Sequence, residues 1–247
     1  MCTVTYLPLN EGFILTTNRD EDPHRARAEQ PDRYNADRPQ VIFPRDPQGQ
    51  GSWVAVHENG SARCLLNGAF TTHKHDPPYR HSRGLVPLHS FDYHDPYSFL
   101  AEYNASELEP FTLIWVESGV LSEFRWDEQT LHYREYDPAT PAIWSSAQLY
   151  TDDVRAKREG WFEQWLNDHG TFTQEEILRF HHFGGEGNSA EDLVMNPSDL
   201  PPQTISVTSF DSSSKLLHYH DLLSDHALKG FVHFFLIKNE PKNQVDP

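Results

Sequence analysis

Apolar and polar residues alternate with a period of two along most of this chain, and a helical period holds over only a few stretches. Residues 2–9 alternate through Thr3, Val4, Thr5, Tyr6 and Leu7, β-branched and aromatic side chains that suit a pleated, half-buried strand. Asn10-Glu11-Gly12 breaks the run as a turn, and residues 13–17 predict the returning strand. Residues 52–57 and 61–66 flank Glu58-Asn59-Gly60, a second hairpin signal. Three strands joined by short turns are predicted at 111–117, 120–126 and 131–136, another hairpin at 203–210 with 215–221, and a last apolar strand at 231–238.

Helical spacing is clearest at 152–167, where Val154, Trp161, Phe162 and Trp165 recur on one face and Asp152 and Asp153 lie near the start. Thr173-x-x-Glu176 has the form of a capping box and predicts a second helix to Phe183. Asp95-Pro96 predicts a shorter one through Tyr103, since proline fits a first helical turn. Residues 23–50, rich in Pro, Arg and Asp, predict a long surface loop of the kind that covers a site. Residues 70–81 and 184–202 predict two further loops; Gly184-Gly185-Glu186-Gly187-Asn188 lacks the Lys and Ser/Thr of a phosphate loop and reads as a turn. Many hairpins with two central helices predict an α+β layered fold, one domain over 1–239 with a loose tail at 240–247.

Composition narrows the partners. Of 247 residues, 37 are Asp or Glu and 20 are Lys or Arg, so the formal net charge is −17. Nucleic acid, whose phosphates need clustered Lys and Arg, is excluded as a partner on this ground, and anionic membranes are disfavoured for the same reason. No apolar run approaches the roughly 20 residues of a spanning helix, and no signal sequence precedes Cys2, so a cytoplasmic protein is expected. Two cysteines make no disulfide framework. Cys64, in Ala62-Arg63-Cys64-Leu65-Leu66, reads as a buried structural residue.

Cys2 reads differently. Removal of Met1 would give one residue both a thiol and a free α-amine. An α-amine has a pKa of roughly 7.7–8.0, so near neutrality much of it can accept the thiol proton, and the nucleophile brings its own base. On its own, Cys2 is equally an ordinary small apolar side chain. The hairpin that follows returns the chain toward Cys2, bringing Asn18, Arg19 and Asp20 beside it. In an extended segment Asn18 and Asp20 share one face and Arg19 takes the other. A carboxylate there can hold the terminal amine while an amide binds substrate; the other reading of 18–27 is a loop of solvated charges.

The opening Met1-Cys2-Thr3-Val4 with Thr17-Asn18-Arg19-Asp20-Glu21 resembles the NRDE-domain family, also called the transport and Golgi organisation protein 2 family. Further matches are Gly51-Ser52-Trp53-Val54-Ala55-Val56 with Asn59-Gly60, Leu66-Asn67-Gly68-Ala69 and Ser82-Arg83-Gly84-Leu85. Looser echoes run through Ser145-Ser146-Ala147, Lys157-Arg158-Glu159 and Thr204-Ile205-Ser206-Val207-Thr208. That family in turn resembles the N-terminal nucleophile hydrolases of the choloylglycine hydrolase and penicillin V acylase group. The resemblance implies a four-layer αββα sandwich with mostly antiparallel sheets. It implies Cys2 as nucleophile, Asp20 as the residue holding its amine, and Asn18 as the asparagine before it. Thr17 stands where the acylases have an arginine, and Arg19 takes that place. Asn67 matches one oxyanion donor and Ser146 the other; Arg83 and Arg158 are implied as substrate-binding, with Arg155 a second candidate for the late arginine.

A competing chemistry comes from the 15 histidines. His73-Lys74-His75-Asp76, with His81 nearby, and His218-Tyr219-His220-Asp221 each put two imidazoles on one strand face, a pattern able to ligate zinc. No HExxH accompanies them and His181-His182 are adjacent, so no metal and no cofactor are expected. Two functions follow: a hydrolase of a non-peptide C–N amide bond acting through an acyl-enzyme on Cys2, with a small-molecule amide or acyl substrate; or a non-catalytic carrier or trafficking protein for a hydrophobic, lipid- or haem-like ligand, lined by aromatics that make up 13% of the chain.

Overall fold

β1 (Thr3–Pro8) and β2 (Phe13–Glu21) form the first hairpin, with Thr3 opposite Asn18. β2 runs four residues beyond the expected strand, so Asn18, Arg19 and Asp20 are buried strand residues, not a solvated loop. The chain is described here by a computed structural model covering residues 3–197, 203–223 and, as backbone, 233–236. Cys2, the expected tail at 240–247 and the ends of the 231–238 strand lie outside the described residues.

The expected loop at 23–50 carries two strands, β3 (Glu29–Asp32) and β4 (Val41–Arg45). β3 escaped notice because Glu29-Gln30-Pro31-Asp32 has no apolar alternation and pairs only at the sheet edge. β5 (Val54–His57) and β6 (Ala62–Asn67) form the expected hairpin. The short α1 (Val86–His89) and α2 (Pro96–Glu102) follow, the latter capped by Asp95, which accepts from Ser98 N. β7 (Phe111–Glu117), β8 (Val120–Trp126) and β9 (Leu131–Tyr136) fall at the expected bounds. β10 (Ala142–Ser145), which the pattern did not reveal, pairs with β1. α3 (Asp152–Asp168) and α4 (Gln174–Phe183) come next, and the Thr173–Glu176 capping box is present at α4. β11 (Gln203–Asp211), β12 (Leu216–Asp221) and β13 (His233–Leu236) complete the order.

One sheet runs β10-β1-β2-β11-β12-β13 and the other β3-β4-β5-β6-β7-β8-β9, with antiparallel pairing throughout. Alternation sorts each strand onto two faces. Val4, Tyr6, Phe13 and Leu15 meet Trp53, Val54, Val56, Cys64 and Ile114 between the sheets. Leu7 and Ile14 turn the other way onto Phe162 of α3 and Ile177 and Phe180 of α4. Beyond the second sheet Leu65, Leu113, Trp115 and Phe124 pack on Val86 of α1 and Phe99 of α2. Each large apolar side chain so buried contributes about 1.5–3 kcal/mol. The layers are therefore helix, sheet, sheet, helix, the expected αββα sandwich. Cys64 sits in the inter-sheet core, and burial pushes its thiol up to about 12, as expected of a structural cysteine. Among the described residues no helix is long and apolar enough to cross a membrane.

Candidate active site

β2 carries polar side chains on both faces at one end of the sheet. On the helix side the two amide hydrogens of Asn18 are committed: Nδ2 donates to the carbonyls of His181 (3.0 Å) and Leu193 (2.6 Å). Its Oδ1 must then accept, so His181 Nδ1 carries the proton it shares with Asn18, and His181 Nε2 accepts from Thr5 Oγ1 at 2.7 Å. The imidazole is satisfied as a neutral ring; burial pushes His181 down to about 3, with His182 and Arg158 adding to the effect. Asn18 is thus a clamp between β2 and α4, and its amide has no hydrogen left for a substrate.

Arg158 is the second clamp on this side. It lies in the middle of α3 at 0% exposure, where Nη1 donates to Thr3 Oγ1 (2.7 Å) and Nη2 to the carbonyls of Glu191 (2.9 Å) and Asp192 (2.8 Å). Its guanidinium carbon sits 3.9 Å from the centre of the Tyr150 ring. Every acceptor is protein, so Arg158 ties the start of β1 to the 191–192 loop instead of facing a ligand. Arg155, the other candidate, pairs with Asp152 on the helix surface. Asp20, also on this side and buried, accepts from Thr204 Oγ1 at 2.6 Å and from the Tyr150 hydroxyl.

Arg19 faces the other way, into a cavity of about 100 Å³ between the sheets whose wall includes Trp53, Asp46, Asn67 and Arg83. Its guanidinium lies on Trp53, 4.3 Å from the ring centre, and Nη2 donates to Asp46 Oδ2 at 3.1 Å. Nη1 is buried and has no hydrogen-bond partner among the described residues. A buried donor left unpaired costs about 1–3 kcal/mol, more for a charged group. Burial pushes the Arg19 pKa down, with Asp46 and Glu21 opposing it. The same Asp46 oxygen accepts from Arg25 Nε (3.0 Å) and Nη2 (2.8 Å). Burial works to raise Asp46, but the two guanidiniums prevail and hold its carboxyl below the ordinary range. Arg83 is anchored by Glu109 (3.0 Å) and the Pro110 carbonyl (3.1 Å). Glu109 also receives His73 Nε2 (3.0 Å) and His75 Nδ1 (3.1 Å).

Asn67 ends β6, and Gly68 continues at φ +82°, a left-handed conformation that glycine adopts without strain. The turn is fixed from several sides: Gly68 N bonds the Pro110 carbonyl, Thr112 Oγ1 donates to the Gly68 carbonyl (2.9 Å), and Ser146 Oγ donates to the Asn67 carbonyl (2.7 Å). That last bond uses the only proton of a fully buried hydroxyl. In this arrangement the Ser146 hydroxyl is turned to the Asn67 carbonyl and positions Asn67. The far wall is a backbone crossing, where a Cβ on Gly51 would meet the Gly84 carbonyl at 2.2 Å.

Of the expected site residues, Arg19, Asn67 and Arg83 share the cavity and Asp20 lies behind Arg19 on the opposite face, while Asn18, Ser146 and Arg158 are structural ties. Cys2 lies outside the described residues. Asp46, Tyr150 and Glu109 were not anticipated, since nothing local in Arg45-Asp46-Pro47 or Leu149-Tyr150-Thr151 marks them. Among the described residues no group of three His, Cys, Asp or Glu side chains is arranged to hold a metal ion; His73 and His75 instead both bond Glu109.

Two facing antiparallel sheets between helical layers, with β1 inside one sheet between β10 and β2, define the fold of the N-terminal nucleophile hydrolases. The chain resembles the Caenorhabditis elegans orthologue of N-acylethanolamine-hydrolyzing acid amidase, with TM-score 0.53 and 11% identity over 87% of this chain and 96% of that one. It resembles a mutant conjugated bile acid hydrolase from Clostridium perfringens at TM-score 0.52 and 9% identity, over 97% and 95%. Penicillin V acylase from Agrobacterium tumefaciens aligns less well, at TM-score 0.46 and 12% identity over 91% and 84%. The family model for Transport and Golgi organisation 2 matches residues 1–181, and the chain belongs to that family. No curated protein matches it.

Proposed function

We propose that the chain is an N-terminal-cysteine amide hydrolase whose nucleophile is Cys2 after removal of Met1. The observation that carries this reading is the register at the start of β1. Thr3 lies opposite Asn18 on one side and Ser145 on the other. The residues that follow these two partners are Arg19, which lines the cavity, and Ser146, which holds Asn67, so the described start of β1 lies beside the cavity.

In this reading the α-amine of Cys2 takes the thiol proton and the thiolate attacks the amide carbonyl. Asn67 donates to the oxyanion that forms. The C–N bond breaks as the ammonium returns its proton to the leaving amine, which leaves a thioester. Water, deprotonated by the same α-amine, attacks the thioester, and the carboxylic acid departs as the thiol is restored. Asp20 holds the amine, its carboxylate oriented by Thr204 and Tyr150.

The test is turnover of a panel of N-acyl amides by protein whose N-terminal peptide mass confirms loss of Met1. Cys2→Ser and Asp20→Ala should each abolish turnover, and full turnover in both would sink the reading. Carriage of a haem- or lipid-like ligand is not served by this charged cavity of about 100 Å³, since drug-sized ligands occupy clefts of about 300–1,000 Å³; it would use the separate cleft of about 720 Å³ lined by Tyr6, Leu9 and Phe13. A Soret shift on haem titration at micromolar protein would favour the carrier instead.

A further inference from the structure

We infer that the cleft at the other end of the sandwich, where the β1–β2 and β7–β8 turns meet the loop before β10, binds a small organic cation with an apolar body. The inference stands apart from the hydrolase reading, because it uses neither Cys2 nor the Arg19 cavity. β2 needs about 20 Å to run from Phe13 in this cleft to Arg19 in that cavity.

The cleft measures about 720 Å³, within the roughly 300–1,000 Å³ of small-molecule sites. Its most buried lining is aromatic. Tyr6 and Phe13, each 3% exposed, stack with ring centres 5.7 Å apart. Pro8, Leu9 and Pro138, all half-buried, extend the apolar wall. The Tyr6 hydroxyl is spent on the Pro138 carbonyl at 2.8 Å, so the ring offers the cleft no donor.

Charge decides the sign of the ligand. The lining holds two carboxylates, Glu11 and Glu117, and no Lys, Arg or His. Glu11 is exposed and makes no ion pair among the described residues. Glu117 gives one oxygen to Arg63 at 2.6 Å, but Arg63 is buried and does not line the cleft. Asp137 brings a third carboxylate near Tyr6; burial and this charge push the Tyr6 hydroxyl up to about 12, so Tyr6 stays neutral. A cation is therefore attracted by the carboxylates and by an aromatic lining that itself favours positive charge. An anionic amphiphile of the same size would set a like charge against Glu11 and Glu117. The field of a chain with formal charge −17 acts in the same direction.

The test is calorimetric binding of hexyltrimethylammonium, hexanol and hexanoate to the full chain. The cation should bind at least tenfold more tightly than hexanol, and hexanoate more weakly than either. Ser118 lines the cleft from the exposed β7–β8 turn, so Ser118→Lys should place an ammonium there and reduce affinity for the cation at least fivefold. Glu11→Gln should reduce it at least twofold. Equal affinity for the cation and the alcohol, tighter binding of hexanoate, no binding of the cation, or unchanged affinity in both variants would each overturn the inference. Should Ser118→Lys fail to fold, Glu11→Gln alone decides. Acyl turnover by the Cys2 protein tests the hydrolase reading separately, whatever the cleft binds.

Discussion

The two faces of β2 bury the same kinds of group under opposite rules. Toward the helices, Asn18, His181 and Arg158 spend every donor on the protein, and the result is a rigid joint between sheet and helices. Toward the second sheet, Arg19 is equally buried but keeps an unmatched N–H beside a cavity. Satisfied burial marks the helix-side groups as structure; the Arg19 N–H differs from other buried unpaired donors such as Trp115 Nε1 in lying beside a cavity. Burial or charge alone would have put Arg19 and Arg158 in one class.

The contrast is most open to attack through stability. Arg158→Met should cost about 3–5 kcal/mol, because it strands the Glu191 and Asp192 carbonyls that the guanidinium serves. Arg19→Met should cost less than about 1 kcal/mol, since Asp46 keeps Arg25 and an unpaired donor disappears. Urea midpoints of the two variants measure both, and equal losses would erase the distinction.

Next in size is Asn67→Ala, expected to lower acyl turnover by about 10²–10³ while leaving the melting temperature within a few degrees, because the turn is held by backbone groups, Thr112 and Ser146. A matching loss of stability would place Asn67 with the structural ties. The smallest effect is in acid. His181 stays neutral in the fold down to about 3 but protonates near 6.5 when unfolded. Between these values the unfolded chain binds the extra proton, so stability falls as pH drops, by up to about 1.4 kcal/mol per pH unit. The inner carboxylates Asp46 and Glu109, held below their ordinary range, lose their contribution only at lower pH, as the folded-state groups protonate. Denaturation at pH 7, 6 and 5 with His181→Gln as control should show a shallower slope in the variant, the remainder coming from His182, which burial pushes down to about 4, and from His218 and His220, also held down by burial.

β7, β8 and β9 were legible in the sequence to the residue, because short turns bound runs rich in β-branched and aromatic residues; β7 is buried on both faces and β9 only partly on one. β10, the four residues that follow Pro141 with only Trp144 fully buried, had no period to read; pairing with β1 and the packing of Trp144 in the inter-sheet core hold it. The helical face of α3 was misjudged for a related reason. Among Val154, Trp161, Phe162 and Trp165 only Phe162 is fully buried, and the other buried position is Arg158, one turn earlier. A sequence pattern counts arginine as solvent-facing, and only the Glu191 and Asp192 carbonyls, more than thirty residues away, reverse that. The opposed faces of Asn18 and Arg19 followed from strand geometry. The commitment of Asn18 and Ser146 to protein acceptors did not, because it depends on where α4 and β6 come to lie.

The place of β1 between β2 and β10 also sets a timetable for synthesis. β2 is made almost at once, but Ser145 follows Thr3 by about 140 residues, roughly 7–30 s of translation at 5–20 residues per second. Until then the N-terminal strand lacks one of its two neighbours. Removal of Met1, if the proposed reading holds, would meet a β1 paired on one side during that interval and on both sides afterwards.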